Sequence, residues 1–168
     1  APADYASYSL FISICQFAAI AAFEWVRFAC TRFYPGPDAA SEAAERRAIL
    51  VEAFACAALC LIAACLSLFF GVPPVVALVG GLVSIAQGGS DLHLTMLRFR
   101  QDFRAFSVLQ GSRATILAAG TLLGALVSPS FLSTVTGLLG GYAAYGLLAL
   151  LLSRRAKTRP AAAPDSAR

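Results

Sequence analysis

Long apolar stretches alternate with short polar breaks along the chain. Five stretches stand out, at about 8–28, 49–70, 75–97, 114–127 and 131–152. Most approach the roughly 20 residues that a helix needs to cross a bilayer. A membrane barrel would instead show alternating segments of about 10 residues, and none occur. The pattern predicts an all-α polytopic transmembrane helix bundle with five spans.

The breaks carry helix-ending chemistry. Pro35-Gly36-Pro37 stops the first helix, because proline lacks a donor and glycine disfavours continuation. Asp38 or Ser41 is the expected cap of the second helix, with Glu42 and Glu45 in its first turn, where the helix dipole favours anions. The turns at 71–74 and 128–130 are short enough to make antiparallel hairpins of spans two and three and of spans four and five. Between spans three and four, Phe99, Phe103, Phe106 and Leu109 recur at helical spacing beside Arg100, Arg104 and Ser107. This segment reads either as a basic amphipathic helix in the interface or as an extension of the neighbouring spans. The tail, 153–168, is rich in Arg, Pro and Ala and reads as disordered or a linker.

Charge orients the bundle. All thirteen basic residues fall in three places: around 27–47, within 98–113, and in the tail. The start of the chain and the two tight turns hold none. Basic loops stay on the cytoplasmic side, so the N-terminus is expected outside and the tail inside. Tyr5 and Tyr8 at one end of span one, and Trp25, Phe28, Phe33 and Tyr34 at the other, fit two interfacial belts. The chain is 59% hydrophobic and 13% charged, against roughly 25% charge in soluble domains. That excludes a soluble domain. The net charge of +4 is a collar facing anionic headgroups, not a nucleic-acid footprint. The opening Ala1-Pro2-Ala3 lacks an initiator methionine and a basic leader. With an outside N-terminus, this predicts a fragment whose preceding helix lies upstream. The Arg-heavy, Lys-poor composition fits a bacterial gene.

Polar groups inside apolar spans are costly and are therefore functional candidates. Span one carries Gln16, Glu24 and Arg27 on one helical stripe, and Glu24 and Arg27 can pair at i,i+3. Span three repeats the arrangement with Gln87, Asp91 and Arg98, and Glu52 stands near the start of span two. Snorkelling to water near the boundary accounts for these charges as well as a hydrated cavity does. His93 follows Asp91 by two residues, so the two do not share a helix face. No nucleophile motif, metal-ligand set, P-loop or dinucleotide fingerprint accompanies them, and no enzymatic activity is expected. Cys15, Cys30, Cys56, Cys60 and Cys65 read as small apolar packing residues, with Cys56 and Cys60 on one face. Gly120/Gly124 and Gly137/Gly141 are small-xxx-small pairs that allow close helix packing. Gly80-Gly81 and Gly88-Gly89 would loosen span three.

Several short stretches resemble the polysaccharide (O-antigen type) flippases of the multidrug/oligosaccharidyl-lipid/polysaccharide (MOP) exporter superfamily. "ADYASYSLFISI" is similar to that family's helix start, through Tyr5, Tyr8, Ser9 and Leu10, with Ala6 in place of the usual glycine. "EWVRFACTRFYPG" matches through Arg27, Arg32, Phe33, Tyr34 and Pro35, and "ERRAIL" (45–50) resembles the start of the next helix. "LRFRQDFRAFSVLQGSRA" resembles the cytoplasmic turn, with Gln110 and Arg113 leading into a helix. The resemblance covers most of 4–155. It implies helices two to six of the first lobe of a two-lobe transporter, with a second lobe of the same protein missing from this chain.

The function so implied is flipping of a polyprenyl-diphosphate-linked oligosaccharide across the bacterial inner membrane by alternating access. Arg27 and Arg113, with Gln16, would attract the anionic headgroup. No cofactor is expected; Na⁺ or H⁺ coupling, common in the superfamily, would use Glu24, Glu52 or Asp91. Two other classes stand beside it. One is a non-transport membrane subunit or scaffold that packs through its Gly-rich helices. The other is a membrane transferase acting on a polyprenyl substrate through His93 and Asp91.

Overall fold

The computed structural model describes residues 2–33, 39–99 and 101–158, and forms them into five helices. They are α1 (Pro2–Phe33), α2 (Ala39–Ser67, tightening into a 3-10 turn at Leu68–Phe70), α3 (Pro74–Phe99), α4 (Phe103–Val127) and α5 (Phe131–Thr158). By length and composition, four segments are apolar enough to cross a membrane: Tyr5–Arg32, Arg47–Phe70, Pro74–Phe99 and Phe131–Ser153. The remaining helix, α4, is long but polar in its first half, where Arg104, Gln110, Ser112 and Arg113 fall.

The turns follow from their residues. Gly71 adopts φ 80° and returns its N–H to the Leu68 carbonyl at 3.0 Å, a left-handed conformation that glycine takes without steric cost. Pro74 then opens α3, where a missing donor is harmless, and the Pro73 carbonyl accepts from the Ala77 N–H at 3.0 Å. At the start of α5 the Ser130 hydroxyl accepts from the Ser133 N–H at 3.3 Å.

Three sequence expectations need correction, and one open choice is narrowed. The second helix begins at Ala39, ahead of Ser41, because two alanines extend it; Ser41 is therefore not its cap. Asp38 and Pro35-Gly36-Pro37 lie outside the described residues. Of the two readings of segment 98–113, the structure favours extension of the neighbouring helices over a separate interface helix. α4 runs unbroken from Phe103, after a turn in which Gln101 takes φ 57° and the Asp102 carboxylate caps Ala105 N–H at 3.2 Å. α5 continues to Thr158, so 153–158 are helical rather than disordered: Arg154, Arg155, Ala156 and Lys157 are good helix formers, and cations suit a helix C-terminus. Residues 159–168 lie outside the described residues. Finally, α3 is not loosened at its glycines. Phe11 packs against Gly80 and Phe23 against Gly88, where an added Cβ would overlap the Phe23 ring.

α3 is central and packs against all four other helices. Cys15 meets Gly80 and Ser84, and Phe23 meets Gly88. α1 and α3 therefore run parallel, and Val26 is level with Asp91. α2 completes a three-helix unit around Phe23, Val26, Cys30, Cys56, Cys60 and Leu92. α4 and α5 form an antiparallel hairpin that joins this unit through Val83, Val135, Leu138 and Tyr142, and through Leu94, Leu109 and Tyr145. Large apolar side chains cover the outside, Phe17, Phe54 and Leu126 among them. An exposed apolar surface on this scale suits lipid, not water.

Candidate intramembrane polar site

The α4–α5 seam sets the position of the polar groups. A Cβ on Gly120 would lie 2.6 Å from the Gly137 carbonyl oxygen and 2.8 Å from the Gly141 Cα. Gly124 and Gly137 are equally closed, and Gly141 faces Leu117. The four glycines thus lie at the closest approach of the two helices, backbone on backbone. The Ser133 hydroxyl adds a bond to the Gly124 carbonyl at 2.6 Å. This approach brings Tyr142, next to Gly141, against Arg113 on α4.

Arg113 Nη1 forms an ion pair with Asp91 Oδ1, tying α4 to α3. Asp91 stands eight residues before Phe99, roughly 12 Å along the axis at 1.5 Å per residue, so the pair lies well inside the helix. Its side chains are 18% and 31% exposed for Arg113 and Asp91: neutralised, but not sealed. Pairing is what makes such charges tolerable in an apolar layer. The Tyr142 hydroxyl is within hydrogen-bond reach of Arg113. Tyr145, one turn on, packs on Leu94 and Leu109, and its hydroxyl is buried without a hydrogen-bond partner among the described residues.

A second pair lies on α1. Glu24 Oε2 accepts from Arg27 Nη1 at 2.7 Å, with both side chains about one-third exposed (35% and 37%). The parallel register puts it at the height of Asp91. Arg27 Nε is buried with no acceptor among the described residues. The structure therefore brings Asp91 and Arg113 together, and sets Glu24 and Arg27 level with them. It does not gather the remaining candidates. Gln16 is exposed, more than two turns away toward the start of α1. Glu52 is exposed on α2, which packs on α1 and α3.

His93 lies on another side of α3 from Asp91. It lines a cleft of about 350 Å³ between α3 and α5, with Ser90, Tyr142, Tyr145 and Ser153. Among the described residues, no three His, Cys, Asp or Glu side chains are grouped as a metal site would need. Cys15, Cys30, Cys56 and Cys60 are buried among apolar neighbours.

The sequence reading missed Tyr142 and Tyr145. Their signal was present: two phenols at i,i+3 inside an apolar span, each needing a hydrogen-bond partner when buried. No protein-family model matches the chain, and comparisons with curated proteins and with solved structures gave no match.

Proposed function

We propose that this chain is a membrane transporter segment that flips a lipid-linked oligosaccharide across the bacterial inner membrane, with all five helices crossing. α4 is included because it pairs with α5 along its length and continues the alternation of basic and uncharged ends. The N-terminus is outside, the basic ends are cytoplasmic, and a second helical lobe of the same protein closes the path. The resemblance to the polysaccharide flippases favours this reading.

The observation that carries it is the Asp91–Arg113 pair. An arginine held inside an apolar helix bundle, neutralised yet partly open, suits competition by an anionic diphosphate. Guanidinium binds phosphate oxygens bidentately. Arg27 is level with it and keeps a donor unused. Glu24 and Asp91, each holding an arginine, are the carboxylates where Na⁺ or H⁺ coupling would act; Glu52 stands apart. The scaffold alternative draws less support, because Gly120, Gly124, Gly137 and Gly141 are already occupied within the α4–α5 hairpin. The transferase reading loses its pair, since Asp91 holds Arg113 while His93 faces the cleft. The test is export of lipid-linked sugar by cells carrying Arg113→Ala or Arg27→Ala in the full-length protein. Export should fall while membrane insertion is retained. Undiminished export from both variants would remove this function.

A further inference from the structure

The buried phenol of Tyr145 is the group that the proposed function leaves unused. Buried hydroxyls normally have partners. This one has none among the described residues, in a residue only 2% exposed. Its position is specific. The Tyr145 ring packs on Leu94, three residues after Asp91, and on Leu109, four residues before Arg113. It therefore sits one helical turn from both members of the ion pair, and both charges act on its hydroxyl. Tyr142 lies beside Arg113.

An arginine that leaves its carboxylate to bind an anion strands that carboxylate in an apolar layer. Without a replacement donor, the anion would have to overcome the full penalty of the bare charge. We infer that Tyr145 is the standby partner of Asp91: when Arg113 turns to an anionic ligand, the Tyr145 O–H donates to the Asp91 carboxylate. This rests on the substrate reading above and adds a positioning residue to it. The exchange moves no proton and breaks no covalent bond. Asp91 stays ionised and trades an N–H donor for an O–H donor. In the resting state Tyr145 waits unbonded, so its hydroxyl adds a desolvation cost there and no stability.

The experiment is binding of farnesyl diphosphate to the full-length protein purified in detergent, read beside the thermal unfolding midpoint. Tyr145→Phe should bind about tenfold more weakly, the scale of one lost hydrogen bond to a charged group. Its unfolding midpoint should be unchanged or higher. Tyr142→Phe, which removes the hydroxyl beside Arg113, should lower the midpoint. In an Asp91→Asn background there is no carboxylate to strand, so adding Tyr145→Phe should have no further effect on binding. If Arg113→Ala binds as well as the unaltered protein, the substrate reading itself fails. If Arg113→Ala loses binding but Tyr145→Phe keeps it, the site stands and the partner exchange is overturned. A lower unfolding midpoint for Tyr145→Phe overturns it too, since the hydroxyl would then have a resting partner.

Discussion

The α1–α2–α3 unit and the α4–α5 hairpin use glycine in opposite ways. In the first, Gly80 and Gly88 are notches that receive the rings of Phe11 and Phe23. A ring can slide or turn, so that seam has some give. In the hairpin, Gly120, Gly124, Gly137 and Gly141 bring backbone against backbone. At Gly120, Gly124 and Gly137 only backbone atoms stand nearest, with no side chain there to yield. The hairpin is thus the stiffer body, joined to the other unit by apolar contacts on α3 and α1, by Arg98 stacked on Phe106 and, among the described residues, by the Asp91–Arg113 ion pair. Where relative motion is required, the joint between the two bodies is the place for it.

Substitutions can break or sharpen this contrast. The largest effect is expected at the joint. Arg113→Ala leaves the Asp91 carboxylate uncompensated and should destabilise by about 3 kcal/mol, somewhat less for the part of the pair that is open. Arg113→Gln with Asp91→Asn should recover most of it, measured by unfolding in a detergent titration. Next comes the rigid seam. Gly137→Ala forces the α4 and α5 backbones apart and should cost about 2–3 kcal/mol, with a lower thermal midpoint. Gly88→Ala, which meets only a ring, should cost about 1–2 kcal/mol. Equal losses at Gly137 and Gly88 would erase the contrast between the two seams. The smallest effect has the opposite sign. Gly140 has nothing within 4 Å of where a Cβ would go, so Gly140→Ala should stabilise by up to about 1 kcal/mol through helix propensity.

The helices were legible in the sequence because apolar periodicity and turn residues agree. The hairpins at Gly71 and Pro129 needed only the punctuation of Gly and Pro. The ends were less legible. Helix propensity in Ala39-Ala40 and in 154–157 extends α2 and α5 beyond the apolar core, and a hydropathy pattern does not weigh that. The Glu24–Arg27 pair could be read from i,i+3 spacing. The Asp91–Arg113 pair could not, because it joins residues 22 apart on different helices, and only the α3–α4 turn and the glycine seam set their meeting. Tyr142 and Tyr145 were overlooked because a phenol in an apolar run looks like packing until its hydroxyl must be satisfied.

The two ion pairs also differ in when they can form as the chain is made. Glu24 and Arg27 are one turn apart, so their pair closes as soon as α1 coils. That helix can leave the insertion machinery already neutralised and wait in lipid for α3, its parallel neighbour. Asp91 is synthesised before its partner and has no such local relief. α3 must hold a lone carboxylate until Arg113 emerges on α4. α4 begins at Phe103, soon after α3 ends at Phe99, and that keeps the interval short. On the five-span reading proposed above, α3 and α4 enter the membrane best as one unit, and lengthening that connection would expose the vulnerable interval during synthesis even if the finished fold were unchanged.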